Sequence, residues 1–123
     1  MSPLSNLAPG DVAIVDFPAH SPGGREQEGA RPAVVAGAAI GPLRFPLLMV
    51  VPLTTAGGAW QTMNPRTYPA IQAGSGGLPK LSVALTDQLR AVDRQRLRAY
   101  VGALTPVLYA PIHAAIAAAL PPV

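Results

Sequence analysis

The chain has 123 residues, 50% of them apolar and 12% charged, with a net charge of +3 and no cysteine. That length holds one modest core and not two, and the missing cysteines exclude disulfides, thiolate metal ligands and a cysteine nucleophile. No apolar run approaches the ~20 residues of a membrane-spanning helix, and the opening MSPLSNLAPGD lacks the basic start and apolar stretch of a signal peptide, so a soluble cytoplasmic protein is expected.

Residues 1–9 read as a flexible lead-in to a single domain spanning 1–123. Gly10-Asp11 then punctuates the start of a first strand over 12–17, rich in β-branched residues and closed by Phe17. Residues 18–30 form a long Gly/Pro loop carrying much of the local charge, a length that inside a small domain is usually functional or disordered. A second strand is expected over 31–38, with Pro32 tolerated at its start. After a turn around Gly41-Pro42, residues 45–54 read as a third strand, apolar enough for burial on both faces.

Residues 56–66 look like a Gly-containing loop holding the only tryptophan, Trp60. A short strand over 68–72 and a glycine-dense turn over 74–79 follow. Residues 82–92 satisfy both periodicities: Leu81, Leu85 and Leu89 keep a helical spacing, while polar and apolar residues alternate from Ser82 to Leu89. The tail is plainer, since Thr105-Pro106 pairs an N-cap residue with proline at the first helical position. Leu108, Ile112, Ile116 and Leu120 then fall at i, i+4 steps, with Pro111 expected either to kink this helix or to start it. Several short strands with Gly/Pro turns and one terminal helix predict a mainly β fold, a small curled sheet or barrel with the helix packed on it.

Eight of the nine basic residues are arginine. Its planar fork suits phosphate and stacks on bases, although a GC-rich genome produces the same bias. The six acidic residues form no cluster with metal-ligand spacing, and no His-x-x-x-His pair exists, so neither a metal nor a cofactor is expected.

Four segments in order, GDVAIVDF (10–17), REQEGARPAVV (25–35), VPLTT (51–55) and DQLRAVD (87–93), followed by Leu104-Thr105-Pro106 opening the last helix, resemble the MazF/PemK toxins of type II toxin–antitoxin systems. The family pattern Glu-Gln-x-Gly-x-Arg-Pro is complete in Glu26, Gln27, Gly29, Arg31 and Pro32, while Arg25 replaces a usually small residue and residues 57–77 match no member closely. The resemblance implies a CcdB/PemK-type barrel and favours strand over helix at 82–92. It also implies metal-independent cleavage of single-stranded RNA at short motifs, homodimerisation, and an antitoxin whose flexible tail blocks the RNA groove.

By position the resemblance assigns catalysis to Arg31 and Thr54, with Glu26 beside them. Attack by the RNA's own 2′-hydroxyl needs positioning, proton transfer and donors for the charge growing on phosphorus. Arg31 and Thr54 supply donors, whereas a guanidinium, which holds its proton too tightly, is a poor base, leaving Glu26 as the favoured base and His20 as its rival. Arg25, Gln27, Thr55, Trp60, Arg66 and His20 are candidate RNA contacts, with Trp60 and Tyr68 able to stack on bases. Plainer readings stand beside these. Arg31 pairs with Glu26 or Asp16 at the surface, Thr54-Thr55 is a β-favouring pair, Trp60 and Tyr68 are core, and Asp87-Gln88 is structural. The rival functions are a CcdB-like toxin that binds gyrase without catalysis, and an inactive binding module on the same fold.

Overall fold

Apolar residues on both faces of three consecutive strands build the centre of the molecule. In the computed structural model, which describes residues 4, 6–19, 24, 27–38 and 42–123, β1 (Asp11–Phe17) pairs antiparallel with β2 (Gly29–Gly37), from Val12↔Val34 to Phe17↔Gly29. β2 pairs with β3 (Leu47–Thr54) through Ala33↔Pro52, Val34↔Val51 and Val35↔Val50. Since side chains alternate between faces, the odd and even positions separate into two cores. Val12, Val34, Val51 and Leu53 join Ile112 of the terminal helix in one, and Val15, Phe17, Ala33, Val35, Leu48 and Val50 join Val92 in the other. Leu7, ahead of the first strand, packs against the second core.

The remaining strands are β4 (Ala70–Ile71), β5 (Ser82–Ala84), β6 (Arg90–Asp93) and β7 (Leu97–Ala103). They complete a seven-stranded sheet in the order β4-β5-β3-β2-β1-β7, with β6 also on β3. The sheet curls until its two ends meet, because the tight turn Ser75–Gly77 after β4 lies against β7. Glycine makes this approach possible. A Cβ on Gly77 would stand 2.2 Å from the Val101 carbonyl oxygen, and one on Gly102 would stand 2.5 Å from that of Gly76. The fold is the mainly β, curled sheet with a C-terminal helix that the sequence predicts.

Three local expectations need correction, and one strand has no counterpart among the predicted elements. The stretch 56–66 holds a short helix, α1 (Ala59–Met63), whose N-cap Gly58 offers no side-chain bond, so no capping residue announces it. Residues 82–92 are neither one strand nor a helix. β5 and β6 lie along the same edge of β3, pairing Leu53↔Ala84 and Val50↔Arg90. Two residues of β3 therefore face five of the opposite segment, and the excess is thrown out as a 3₁₀ turn, Thr86–Gln88. Strand β7 carries no alternating signal because much of this edge strand is exposed. The third strand begins at Leu47, leaving Phe45 outside it and exposed.

The terminal helix α2 (Pro106–Ala119) starts where the cap predicts and runs through Pro111. The Thr105 hydroxyl oxygen accepts from the Leu108 N–H at 3.4 Å, Ile112 is fully buried, and Leu108 and Leu120 are exposed. Because this capping bond is long, Thr105→Ala is expected to cost about 0.5–1 kcal/mol, read as a small downward shift of the thermal midpoint. Among the described residues no helix is long and apolar enough to cross a membrane.

Candidate active site

Pro32 has no N–H to donate, so the β2–β3 ladder stops near it, with Ala33↔Pro52 its outermost pair. Continuing that antiparallel register two residues outward sets Arg31 abreast of Thr54, on the same face of the sheet. Directly opposed residues of this kind have Cβ atoms roughly 5 Å apart. The two residues singled out by the sequence thus lie beyond the last β2–β3 pair at the same end of the sheet, although 23 positions separate them in the chain.

Both side chains are prepared to donate. Arg31 is exposed, and its Nε donates to the Glu28 carbonyl oxygen at 2.8 Å. This bond fixes the guanidinium plane through one of its five N–H groups, leaving the terminal nitrogens to project from the strand. Thr54 is half-buried, and its Oγ1 accepts from the Ala56 N–H at 3.1 Å. With a lone pair committed to the backbone, the hydroxyl proton is available to a ligand.

The extruded turn at Thr86–Gln88 ties the neighbouring loop to this end of the sheet. Gln88 Oε1 accepts from the Gln27 N–H at 2.9 Å, and Arg90 Nη1 donates to the Gln27 carbonyl oxygen at 3.0 Å. Arg90 is itself held over the Phe17 ring, 4.8 Å from its centroid. Gln27 is therefore gripped through both its backbone polar groups, one residue before the Glu28 carbonyl that orients Arg31. Arg90→Ala is expected to destabilise the fold by roughly 1–3 kcal/mol and to speed amide hydrogen exchange at residues 27–28, with little change in the helix α2 amides.

Beside Thr54 lies an open groove of about 520 Å³ lined by Gln27, Thr54, Trp60, Tyr68, Asp87 and Gln88, among others. Trp60 and Tyr68 meet edge to face with ring centroids 4.8 Å apart, and Gln61 Nε2 fastens α1 to the Tyr68 carbonyl oxygen at 3.2 Å. The Tyr68 hydroxyl donates to Asp87 Oδ2 at 2.6 Å. That hydrogen bond is the main reason its pKa lies above the usual tyrosine value of 10.0, with slight burial and the Asp87 charge acting in the same direction. Because the folded value is the higher one, this stabilisation is present below the unfolded pKa and lost as pH rises through the folded pKa.

The structure gathers Arg31, Thr54, Gln27 and Trp60 around one end of the sheet. Thr55 is exposed next to Thr54. Arg66 is not brought to the groove; it lines a different cavity, with Thr67, Pro111, Ala114 and Ala118 against α2. Glu26, Arg25 and His20 lie outside the described residues. Asp87 and Gln88, read from sequence as structural, stand in the groove wall. Only the three-residue excess between β5 and β6 puts them there, and no periodicity reveals it.

Residues 8–120 match the family described as PemK-like, MazF-like toxin of type II toxin-antitoxin system, so the chain belongs to the PemK/MazF toxin family. Its fold is similar to that of MazF from Deinococcus radiodurans (form I), at 21% identity and a TM-score of 0.70 over 93% of this chain and 96% of that one. An endoribonuclease in complex with its cognate antitoxin, from a mycobacterial species, aligns at 20% identity and a TM-score of 0.64 over 96% of this chain and 100% of that one. MazE–MazF (form II) from Deinococcus radiodurans aligns at 21% identity and a TM-score of 0.65, over 93% and 95%. A comparison with curated proteins finds no significant match.

Proposed function

We propose that this chain is a metal-independent endoribonuclease that cuts single-stranded RNA by attack of the 2′-hydroxyl on the adjacent phosphorus. The observation that carries this reading is the placing of Arg31 and Thr54 just beyond the last β2–β3 pair, each side chain held by a backbone contact, with Thr54 lining a groove with aromatic side chains. Such a pair suits a reaction whose nucleophile is already in the substrate. Arg31 donates to the non-bridging oxygens as negative charge accumulates there, and the Thr54 hydroxyl adds a further donor. Glu26 takes the proton of the 2′-hydroxyl, with His20 as the competing base, and the leaving 5′-oxygen is protonated as the 2′,3′-cyclic phosphate forms. Gln27, Trp60, Thr55 and Arg25 contact the RNA around the cut.

The same reading covers its partners. A cognate antitoxin with a flexible tail occupies the groove and silences the toxin, in keeping with the antitoxin complexes among the similar structures. A second copy of the chain covers exposed apolar side chains such as Leu47 and Met49 of β3 and Leu108 of α2, giving a cytoplasmic homodimer. The test is to incubate a long single-stranded RNA with the purified protein and EDTA. Discrete fragments ending in 2′,3′-cyclic phosphate are expected; intact RNA with a folded protein contradicts the reading.

A further inference from the structure

The aim of Arg31 depends on a segment outside the strand ladder. Its Nε donates to the Glu28 carbonyl oxygen at 2.8 Å, and Gln27 and Glu28 lie beyond the β1–β2 pairs, of which Phe17↔Gly29 is the outermost. Gly29, in left-handed backbone at φ +79°, turns the chain between that carbonyl and Arg31. Two side chains take the place of the ladder. Gln88 Oε1 accepts from the Gln27 N–H at 2.9 Å, and Arg90 Nη1 donates to the Gln27 carbonyl oxygen at 3.0 Å. Both have firm mounts. Arg90 sits over the ring of Phe17, a core residue. Gln88 ends the extruded turn, where its own N–H donates to the Leu85 carbonyl oxygen at 2.9 Å and the buried Thr86 hydroxyl donates to the Thr67 carbonyl oxygen.

We propose that Gln88 is a positioning residue for RNA cleavage: by holding the Gln27 N–H it fixes the Glu28 carbonyl, and so the plane of the Arg31 guanidinium. Its effect on rate rests on the endoribonuclease reading, whereas its effect on Arg31 rests on the hydrogen-bond chain alone. A donor stabilises growing charge only where it meets the oxygen, and a displacement of about 1 Å can cost on the order of 100-fold in rate. Arg31 is exposed, so without an anchored acceptor for Nε its long side chain spreads over many rotamers. Gln88 also stands in the groove wall. A direct contact from there to RNA would act independently of Arg31, which is the difference the test exploits.

Cleavage of a short single-stranded RNA in EDTA is compared for the wild type, for Gln88→Met, which keeps the length and loses the acceptor, and for Gln88→Glu, which keeps an acceptor at the same reach. Gln88→Met should lower kcat by roughly 10- to 100-fold with KM little changed, and Gln88→Glu should recover most of that loss at saturating RNA. In an Arg31→Ala background, Gln88→Met should slow single-turnover cleavage by less than about 2-fold more, because residues acting through one group are not additive. An unchanged kcat in Gln88→Met, no recovery in Gln88→Glu, or an undiminished loss in the Arg31→Ala background overturns the proposal. Gln88→Asn, which withdraws the same amide by one carbon, repeats the comparison should Gln88→Met fail to fold. A second measurement does not need cleavage. The Nε–H signal of Arg31 in a proton–nitrogen NMR spectrum, identified by its loss in Arg31→Lys, should show the heteronuclear NOE of an ordered group in the wild type and a clearly lower one in Gln88→Met. That drop supports the clamp even if the wild type proves not to cut RNA, a result that would sink the endoribonuclease reading alone. An unchanged NOE contradicts the clamp even if the protein does cut.

Discussion

Arg31→Ala is expected to slow RNA cleavage by roughly 100- to 1,000-fold, the usual cost of deleting one preorganised donor to a developing oxyanion. Stability should change little, because Arg31 is exposed and its Nε donates to a backbone carbonyl oxygen on the surface. That combination separates a catalytic arginine from one that merely pairs at the surface. Arg31→Lys is expected to recover only a small part of the loss, since an ammonium does not offer the two parallel N–H groups that match two phosphate oxygens. Thr54→Ala should act in the same direction, and the double variant should lose less than the product of the two single effects if the residues serve one phosphate. Single-turnover cleavage rates, compared with thermal melts of the same preparations, provide the check.

Gly77→Ala has the largest expected effect on the fold. Gly77 sits at φ +77° with the Val101 carbonyl oxygen 2.2 Å from where a Cβ would be placed. Left-handed backbone costs a non-glycine residue roughly 1–2 kcal/mol, and pushing the Ser75–Gly77 turn off β7 adds about 1–3 kcal/mol of overpacking. The sum is a large share of the roughly 5–15 kcal/mol that holds a domain together, so the thermal midpoint should fall by on the order of 10 °C. Gly74→Ala is the control. Gly74 has φ +89° but nothing within 4 Å of its Cβ position, so only the backbone term applies. If the two variants melt alike, the turn does not close the sheet against β7.

The contrast between these two glycines shows what the sequence could and could not convey. Local signals carried through well. The β-branched run of β1, the doubly apolar β3 and the Thr105-Pro106 cap each report a periodicity or a capping bond that acts within a few residues. What failed depends on contacts between distant segments. Gly77 reads as an ordinary turn glycine until the sheet curls and brings Gly76 and Gly77 onto Val101 and Gly102. The double periodicity of residues 82–92 has a similar origin, since the segment carries two strands on one edge of β3 and the extruded turn between them.

The same reasoning applies at the site. Arg31 and Thr54 stand out in the sequence through a family resemblance, but it is the β2–β3 register that brings both to one end of the sheet. Gln27 illustrates the difference most clearly. The family pattern marks it, but nothing local shows that its backbone is clamped by Gln88 and Arg90, more than sixty residues away, with its side chain lining the groove. Arg66 is the converse case. It is a candidate RNA contact in the sequence, and the fold puts it beside the alanines of α2.

The most direct test of the central claim is cleavage of a short single-stranded RNA containing one mapped cut site, beside the same strand with 2′-deoxyribose on the 5′ side of the scissile phosphate. The ribose strand should be cut to a 2′,3′-cyclic phosphate in EDTA, and the deoxy strand should stay intact while competing for binding. Cleavage of both strands would mean that the nucleophile is not the 2′-hydroxyl and would contradict the roles given to Arg31 and Thr54.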